Sequence, residues 1–163
     1  MPAGGREPLS LRDLGFDDVH RVGRPLLDDT VSADVAEALA NTVVLAVGRG
    51  GVLQAGVCRM LKTLGVIVMV KTSAAAAVQM LGAFVPSLVV TELSLDEDDG
   101  LAVLRNIRKL PPEHGGQLPV IGVSADPIDA DALIREGFQD VLVSPFDAED
   151  VWRAVVGAIR RPN

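Results

Sequence analysis

SLVVTELSLDEDDGLAVLRNIR, residues 87–108, decides how this chain folds. Its opening, Ser87 to Leu93, is an apolar, β-branched run that is continuous rather than alternating, the pattern of a strand buried on both faces. Glu92 stands near the end of that run, and the acidic loop Ser94 to Gly100 follows. Leu101, Leu104, Ile107 and Leu110 then recur at helical spacing until Pro111 and Pro112 close the helix. A buried strand, a polar loop and an amphipathic helix make one unit of a parallel sheet.

The same unit recurs on either side. TVVLAV (Thr42 to Val47) is a short apolar run punctuated by GRGG (Gly48 to Gly51). Leu53, Val57, Met60, Leu61 and Leu64 follow at helical spacing, and Gly65 stops them. VIVMV (Val66 to Val70) reads as a second strand, and Ser73 can cap a helix that runs through Leu81 and ends at Gly82 and Pro86. PVIGVS (Pro119 to Ser124) and DVLVS (Asp140 to Ser144) are further strands, separated by a short helix from Asp129 to Glu136. A last helix begins near Asp147 and sets Val151, Trp152, Val155, Val156 and Ile159 on one arc. Five strands alternating with helices, joined by right-handed crossovers, predict an α/β fold with a doubly wound, five-stranded parallel sheet.

Composition bounds the function. The chain has 163 residues, a net charge of -7, 3% aromatic residues and no Tyr, so neither a basic footprint for a phosphate backbone nor a stacking platform for bases is present. A single Cys excludes an internal disulfide framework, and His20 and His114 leave little for metal chemistry. Thr72 to Thr91 is 20 residues without a charge, but Pro86 interrupts it and Thr72, Ser73 and Gln79 dilute it. It reads as a buried helix followed by a buried strand, and no membrane association is expected. MPAGGREPLS at the N-terminus has no apolar core of a secretion signal, so the cytoplasm is the expected compartment.

Charge also divides the chain. Residues 1–41 carry four basic and eight acidic side chains, while residues 42–163 carry 11 and 14. We therefore read 1–41 as an acidic, partly helical extension and 42–163 as the domain. Ser10 to Asp13 can form a capping box, and Val31, Val35 and Leu39 suggest a short helix running into the first strand. Leu9, Leu11, Leu14, Phe16, Val19 and Val22 open two readings: a flexible leader, or an arm docked on its own domain or on a second copy.

In a sheet of this kind ligands bind outside the carboxyl ends of the strands. Gly48, Arg49, Glu92, Ser124 and Ser144 lie there. Over residues 42–161, SLVVTELSLDEDDGLAVLRNIR, PVIGVSA and DVLVSPFDAEDV resemble the receiver domains of two-component response regulators. The resemblance implies an acidic pair holding Mg²⁺ after the first strand and a phospho-accepting Asp at the end of the third. It also implies a Ser or Thr after the fourth strand and a Lys before the Pro that follows the fifth. Here Gly48 and Arg49 stand at the acidic-pair positions, Glu92 at the acceptor position and Ser144 at the Lys position. Ser124 keeps the hydroxyl position, and Gly100, Pro145 and Phe146 keep the pattern, while Val141 replaces the aromatic residue many receivers use as a switch.

Those departures remove the chemistry. Phosphoryl transfer needs cations on the equatorial oxygens, and Mg²⁺ needs hard carboxylate ligands. A glycine and an arginine supply neither ligand, and a serine does not replace the lysine. Glu is one methylene longer than Asp, a misplacement that by itself costs ~10²-fold in rate. The sequence therefore predicts no catalytic residue, no metal and no cofactor. It predicts a degenerate receiver, a phosphorylation-independent adaptor that meets a signalling protein or a second copy of itself. By the resemblance, its contact face is 128–160. Two rival readings stand: a small-ligand or nucleotide sensor at Gly48 to Gly51, and an unconventional phosphorelay receiver.

Several sharper possibilities come with bland counterparts. Glu92 either imitates a phosphorylated acceptor or is an acid at a strand end, with Arg49 near enough to pair with it. GRGG is either an anion cradle or a tight turn, and it lacks the Gly-Lys-Ser/Thr of a Walker motif. Asp96 to Gly100 lacks EF-hand spacing and reads as a solvated loop. Cys58 lies in an apolar helix and reads as core.

Overall fold

Every second side chain of a parallel strand faces one helical layer and the rest face the other, which is why these strands are apolar throughout. The computed structural model describes residues 9–10, 30–31, 33–49, 53–93 and 100–160. A small antiparallel pair, β1 (Leu9–Ser10) with β2 (Thr30–Val31), precedes α1 (Ala33–Ala40). The main sheet holds β3 (Val43–Val47), β4 (Ile67–Lys71), β5 (Leu88–Glu92), β6 (Val120–Ser124) and β7 (Asp140–Val143). All its neighbours are parallel, in the order β4-β3-β5-β6-β7. This is the five-stranded, doubly wound parallel sheet that the alternation of strands and helices predicts.

The helices follow in turn. Leu53–Cys58 is wound as a π-helix that passes into α2 (Arg59–Thr63). Then come α3 (Ala74–Leu81), α4 (Gly100–Arg108), α5 (Ala130–Glu136) and α6 (Ala148–Arg160). Ser73 caps α3, its hydroxyl accepting from the Ala76 amide at 3.1 Å, and Asp129 caps α5 through the Ala132 amide at 3.1 Å. Asp147 and Asp150 cap α6 reciprocally, each carboxylate accepting the other's amide, at 3.0 and 2.9 Å.

Two cores flank the sheet. On one face Val44, Ala46, Leu88, Val90, Ile121, Val123 and Leu142 pack with Leu39 of α1, Leu61 of α2 and Val151, Val155 and Ala158 of α6. On the other, Leu45, Val47, Val89 and Val120 pack with Ala77 and Leu81 of α3, Val103, Leu104 and Ile107 of α4, and Phe138. Thr72 to Thr91 thus contains a helix and a buried strand, and no helix among the described residues is long and apolar enough to cross a membrane.

Ser10 pairs in a strand with Thr30. The rest of that capping box, and Leu11, Leu14, Phe16, Val19 and Val22, lie outside the described residues, as do Gly50, Gly51, Asp96 to Asp99 and His20. His114 sits in a 3₁₀ turn, Pro112–His114.

Cys58 is buried in the first core, and burial pushes its thiol up from the ordinary value. Because the thiolate is the reactive form, alkylation of native protein at pH 8 is expected to be much slower than in denaturant. Equal rates, read by mass spectrometry, would show that the helix opens freely.

Candidate functional site

Parallel register brings the ends of β3, β5, β6 and β7 to one edge. Val47 pairs with Thr91, Glu92 with Val123, and Ser124 with Val143. The edge is tied together by main-chain bonds: Gly48 donates to the Lys71 carbonyl, Leu93 to the Val123 carbonyl and Ser144 to the Ser124 carbonyl, each at 2.9 Å. Gly48, Glu92, Ser124 and Ser144 therefore stand along the same edge of the sheet. The Ser144–Pro145 peptide is cis.

Glu92 and Gly48 fit one another. A Cβ built on Gly48 would overlap Glu92 Oε1, lie 2.5 Å from Leu53 Cδ2 and lie 2.8 Å from Glu92 Cδ. The longer carboxylate thus occupies the space over Gly48 that any side chain at that position would need. From there Oε1 accepts a hydrogen bond from the Arg49 backbone amide at 2.8 Å. The sequence suggests an Arg49–Glu92 partnership, and this main-chain bond joins the two residues. A charge-assisted bond of this kind is short and directional, and it links the end of β5 to the loop after β3.

Ser124 is turned elsewhere. It is 1% exposed, and its hydroxyl donates to the Asp126 carbonyl at 2.7 Å while accepting from the Asp126 amide at 3.1 Å. Its one proton is therefore spent within its own turn. Thr91, fully buried, donates to the Glu92 carbonyl at 3.1 Å. Gly100 lets α4 start against the end of β5, since a Cβ there would lie 2.6 Å from the Glu92 carbonyl oxygen and 2.8 Å from Leu93 Cδ2.

These residues do not fit a magnesium ion. Gly48 offers no ligand, Arg49 brings positive charge, and Glu92 already accepts the Arg49 amide. Among the described residues no group of three His, Cys, Asp or Glu converges to hold a metal. By the resemblance, Gly48 stands only as a lost ligand. Its second role, making room for Glu92, was detectable in principle: a small residue and a lengthened one stand at neighbouring strand ends.

The profile of the response regulator receiver domain matches residues 44–156. The chain belongs to the receiver family. An uncharacterized 14.6 kDa protein in the sodA1 3′ region of Leptolyngbya boryana is 35% identical over 98 residues, covering 59% of this chain and 73% of that protein. The Regulator of RpoS of Escherichia coli K12 is 30% identical over 103 residues, 62% of this chain but 29% of that longer protein. Among solved structures, the receiver domain of a sensor histidine kinase from Pseudomonas aeruginosa PAO1 superposes with a TM-score of 0.64 at 24% identity, over 74% of this chain and 98% of that one. That receiver holds a magnesium ion coordinated in its active-site cleft. NtrX from Brucella abortus superposes with a TM-score of 0.64 at 26% identity, over 73% of this chain and 27% of that one. This receiver thus shares the fold of a magnesium-holding relative while carrying Gly48 and Arg49 after β3.

Proposed function

We propose that this receiver is a phosphorylation-independent signalling adaptor of the cytoplasm, which binds a protein partner through the face formed by residues 128–160 and performs no catalysis. The observation that carries the reading is the Glu92 carboxylate seated over Gly48 and bonded to the Arg49 amide. An acceptor must present its oxygen to an incoming phosphoryl group, and Glu92 Oε1 already accepts the Arg49 main-chain amide. Ser124, whose proton goes to Asp126, does not complete an imitation of a phosphorylated acceptor either. The site is a fixed strut between two strand ends, so the partner face has one arrangement rather than two.

The rival sensor reading needs an anion at Gly48 to Gly51, and Glu92 already takes the Arg49 amide such an anion would use. Incubation with a small acyl-phosphate donor and Mg²⁺ is expected to leave the intact mass unchanged, and Mg²⁺ titration to show no saturable site at millimolar concentration. One base-labile phosphate on Glu92 would overturn the proposal in favour of an unconventional phosphorelay receiver.

A further inference from the structure

The two edges of the main sheet are guarded differently. β7, at one edge, opens with Asp140, whose carboxylate accepts the Val141 amide at 2.8 Å. The Ser144 amide bonds inward to Ser124, so by the two-residue period of a parallel ladder Val141 faces the open side. A charge on the strand and an occupied amide keep such an edge from pairing. β4 is the other edge, and it reads Ile-Val-Met-Val before its one charge, Lys71, at the end. The Ile67 amide donates to the Thr42 carbonyl at 3.1 Å, and the Lys71 carbonyl accepts from Gly48 at 2.9 Å. Ile67, Met69 and Lys71 therefore turn their main chain toward β3, and Val68 and Val70 turn theirs outward. Among the described residues nothing takes the Val68 or Val70 amide.

The side chains of β4 are covered unevenly. Val68 and Val70 pack on the first core. Ile67 and Met69 alternate onto the opposite face, where neither joins the second core, and Ile67 is 59% exposed. Phe84 and Val85, also exposed, stand at the same end of the sheet. The loop that carries them leads to Ser87, whose amide donates to the Val43 carbonyl at 2.8 Å, and Val43 is the register partner of Ile67. Three of the four large exposed hydrophobics among the described residues thus gather at one end of the sheet. Thr72 to Thr91 carries no charge, so this loop adds none there.

Each chain carries a net charge of -7, so two copies meet at least cost where neither presents its acids. Antiparallel pairing of β4 with β4 of a second copy meets that condition. With Val68 opposite Val68, Ile67 falls opposite Met69 and Lys71 opposite Gly65, and no like charges face one another. We infer that this receiver forms a two-fold dimer through β4, the two five-stranded sheets running on as one. The Val68 and Val70 main chains gain partners, and Ile67 is covered by Met69 of the second copy. The same patch serves both copies, so the assembly closes at two. β4 and β7 lie at opposite edges, so the dimer carries the 128–160 face at both far ends and engages two partner sites at once. That last consequence rests on the partner face proposed above; the pairing itself does not.

Sedimentation of the full chain over a concentration series, with amide exchange followed by NMR, tests the pairing. A concentration-dependent dimer is expected, and the Val68 and Val70 amides should gain protection in step with the dimer fraction. Ile67→Glu should weaken the dimer about tenfold or more, since it sets a charge against Met69 of the second copy. Ile67 is largely exposed, so at dilution the variant should melt where the unaltered chain does. Should the variant misfold, amide protection in the unaltered chain still decides. A chain that stays monomeric at millimolar concentration would overturn the inference, and protected amides in that monomer would make its own chain the cover of β4. So would a dimer whose Val68 and Val70 amides exchange freely, or one indifferent to Ile67→Glu in a folded variant. None of these outcomes alters the phosphate result on Glu92, so the two readings fail separately.

Discussion

Gly48→Asp is expected to destabilise the receiver rather than restore a cation site. The new Cβ would overlap Glu92 Oε1 and press on Leu53, which is fully buried and can move little. Overpacking of this kind costs ~1–3 kcal/mol, and the second carboxylate adds like-charge repulsion at close range. At about 2–4 °C per kcal/mol for a chain of this size, the melting temperature should fall by roughly 2–12 °C. The double variant Gly48→Asp with Glu92→Ala should recover part of the loss, because the second change removes the obstacle. Leu53 stays in place, so recovery is incomplete. Thermal unfolding of the four proteins reads the coupling, expected at about 1 kcal/mol or more. Strictly additive losses would show that Glu92 does not occupy the space over Gly48.

Much of this arrangement could be read from residue types alone. Continuous apolar runs marked all five strands of the main sheet: the central ones are covered on both faces, and β4, at one edge, keeps Val68 and Val70 against the first core while Ile67 is exposed. The strand ends that gather Gly48, Glu92, Ser124 and Ser144 followed from the parallel direction of the strands, which brings every carboxyl end to one edge. What sequence left open were contacts decided by a single rotamer or a main-chain donor. That Glu92 reaches the main-chain amide of Arg49 depends on where its carboxylate swings, and Gly48 removes the side chain that would have stood in its way. The Ser124 hydroxyl was expected at its place but its partner, two residues on, belongs to a turn that hydropathy does not encode. The cap at Ser73 was legible because its motif is local, the hydroxyl reaching an amide three residues on.

Two glycine-to-alanine changes are expected to move stability in opposite directions, and the larger effect sits at Gly116. Arg108, at the end of α4, donates through Nη1 to the Leu118 carbonyl at 2.7 Å and to the Gly116 carbonyl at 3.2 Å, pinning the loop that leads into β6. Burial lowers the pKa of this guanidinium from its ordinary value, yet arginine keeps its charge in proteins, so both carbonyls retain a charged donor. A Cβ on Gly116 would overlap the carbonyl oxygen of Leu110 and lie 2.8 Å from its carbon. The obstacle is backbone, not the tip of a flexible side chain, so the loop itself must shift and its hold on Arg108 loosens. Gly116→Ala should therefore cost ~3 kcal/mol, the upper end of overpacking, with one charged hydrogen bond weakened besides. Gly82, after α3, is different: its φ is -67°, which alanine adopts freely, and the nearest atom to a new Cβ is the Gln79 carbonyl oxygen at 3.4 Å. There the unfolded chain loses freedom and the native one loses nothing, so Gly82→Ala should stabilise by ~0.4–1 kcal/mol. Urea unfolding of both variants gives the sign directly. If Gly116→Ala were as benign as Gly82→Ala, the loop before β6 would not be packed on Leu110, and the pinning of β6 through Arg108 would have to be abandoned.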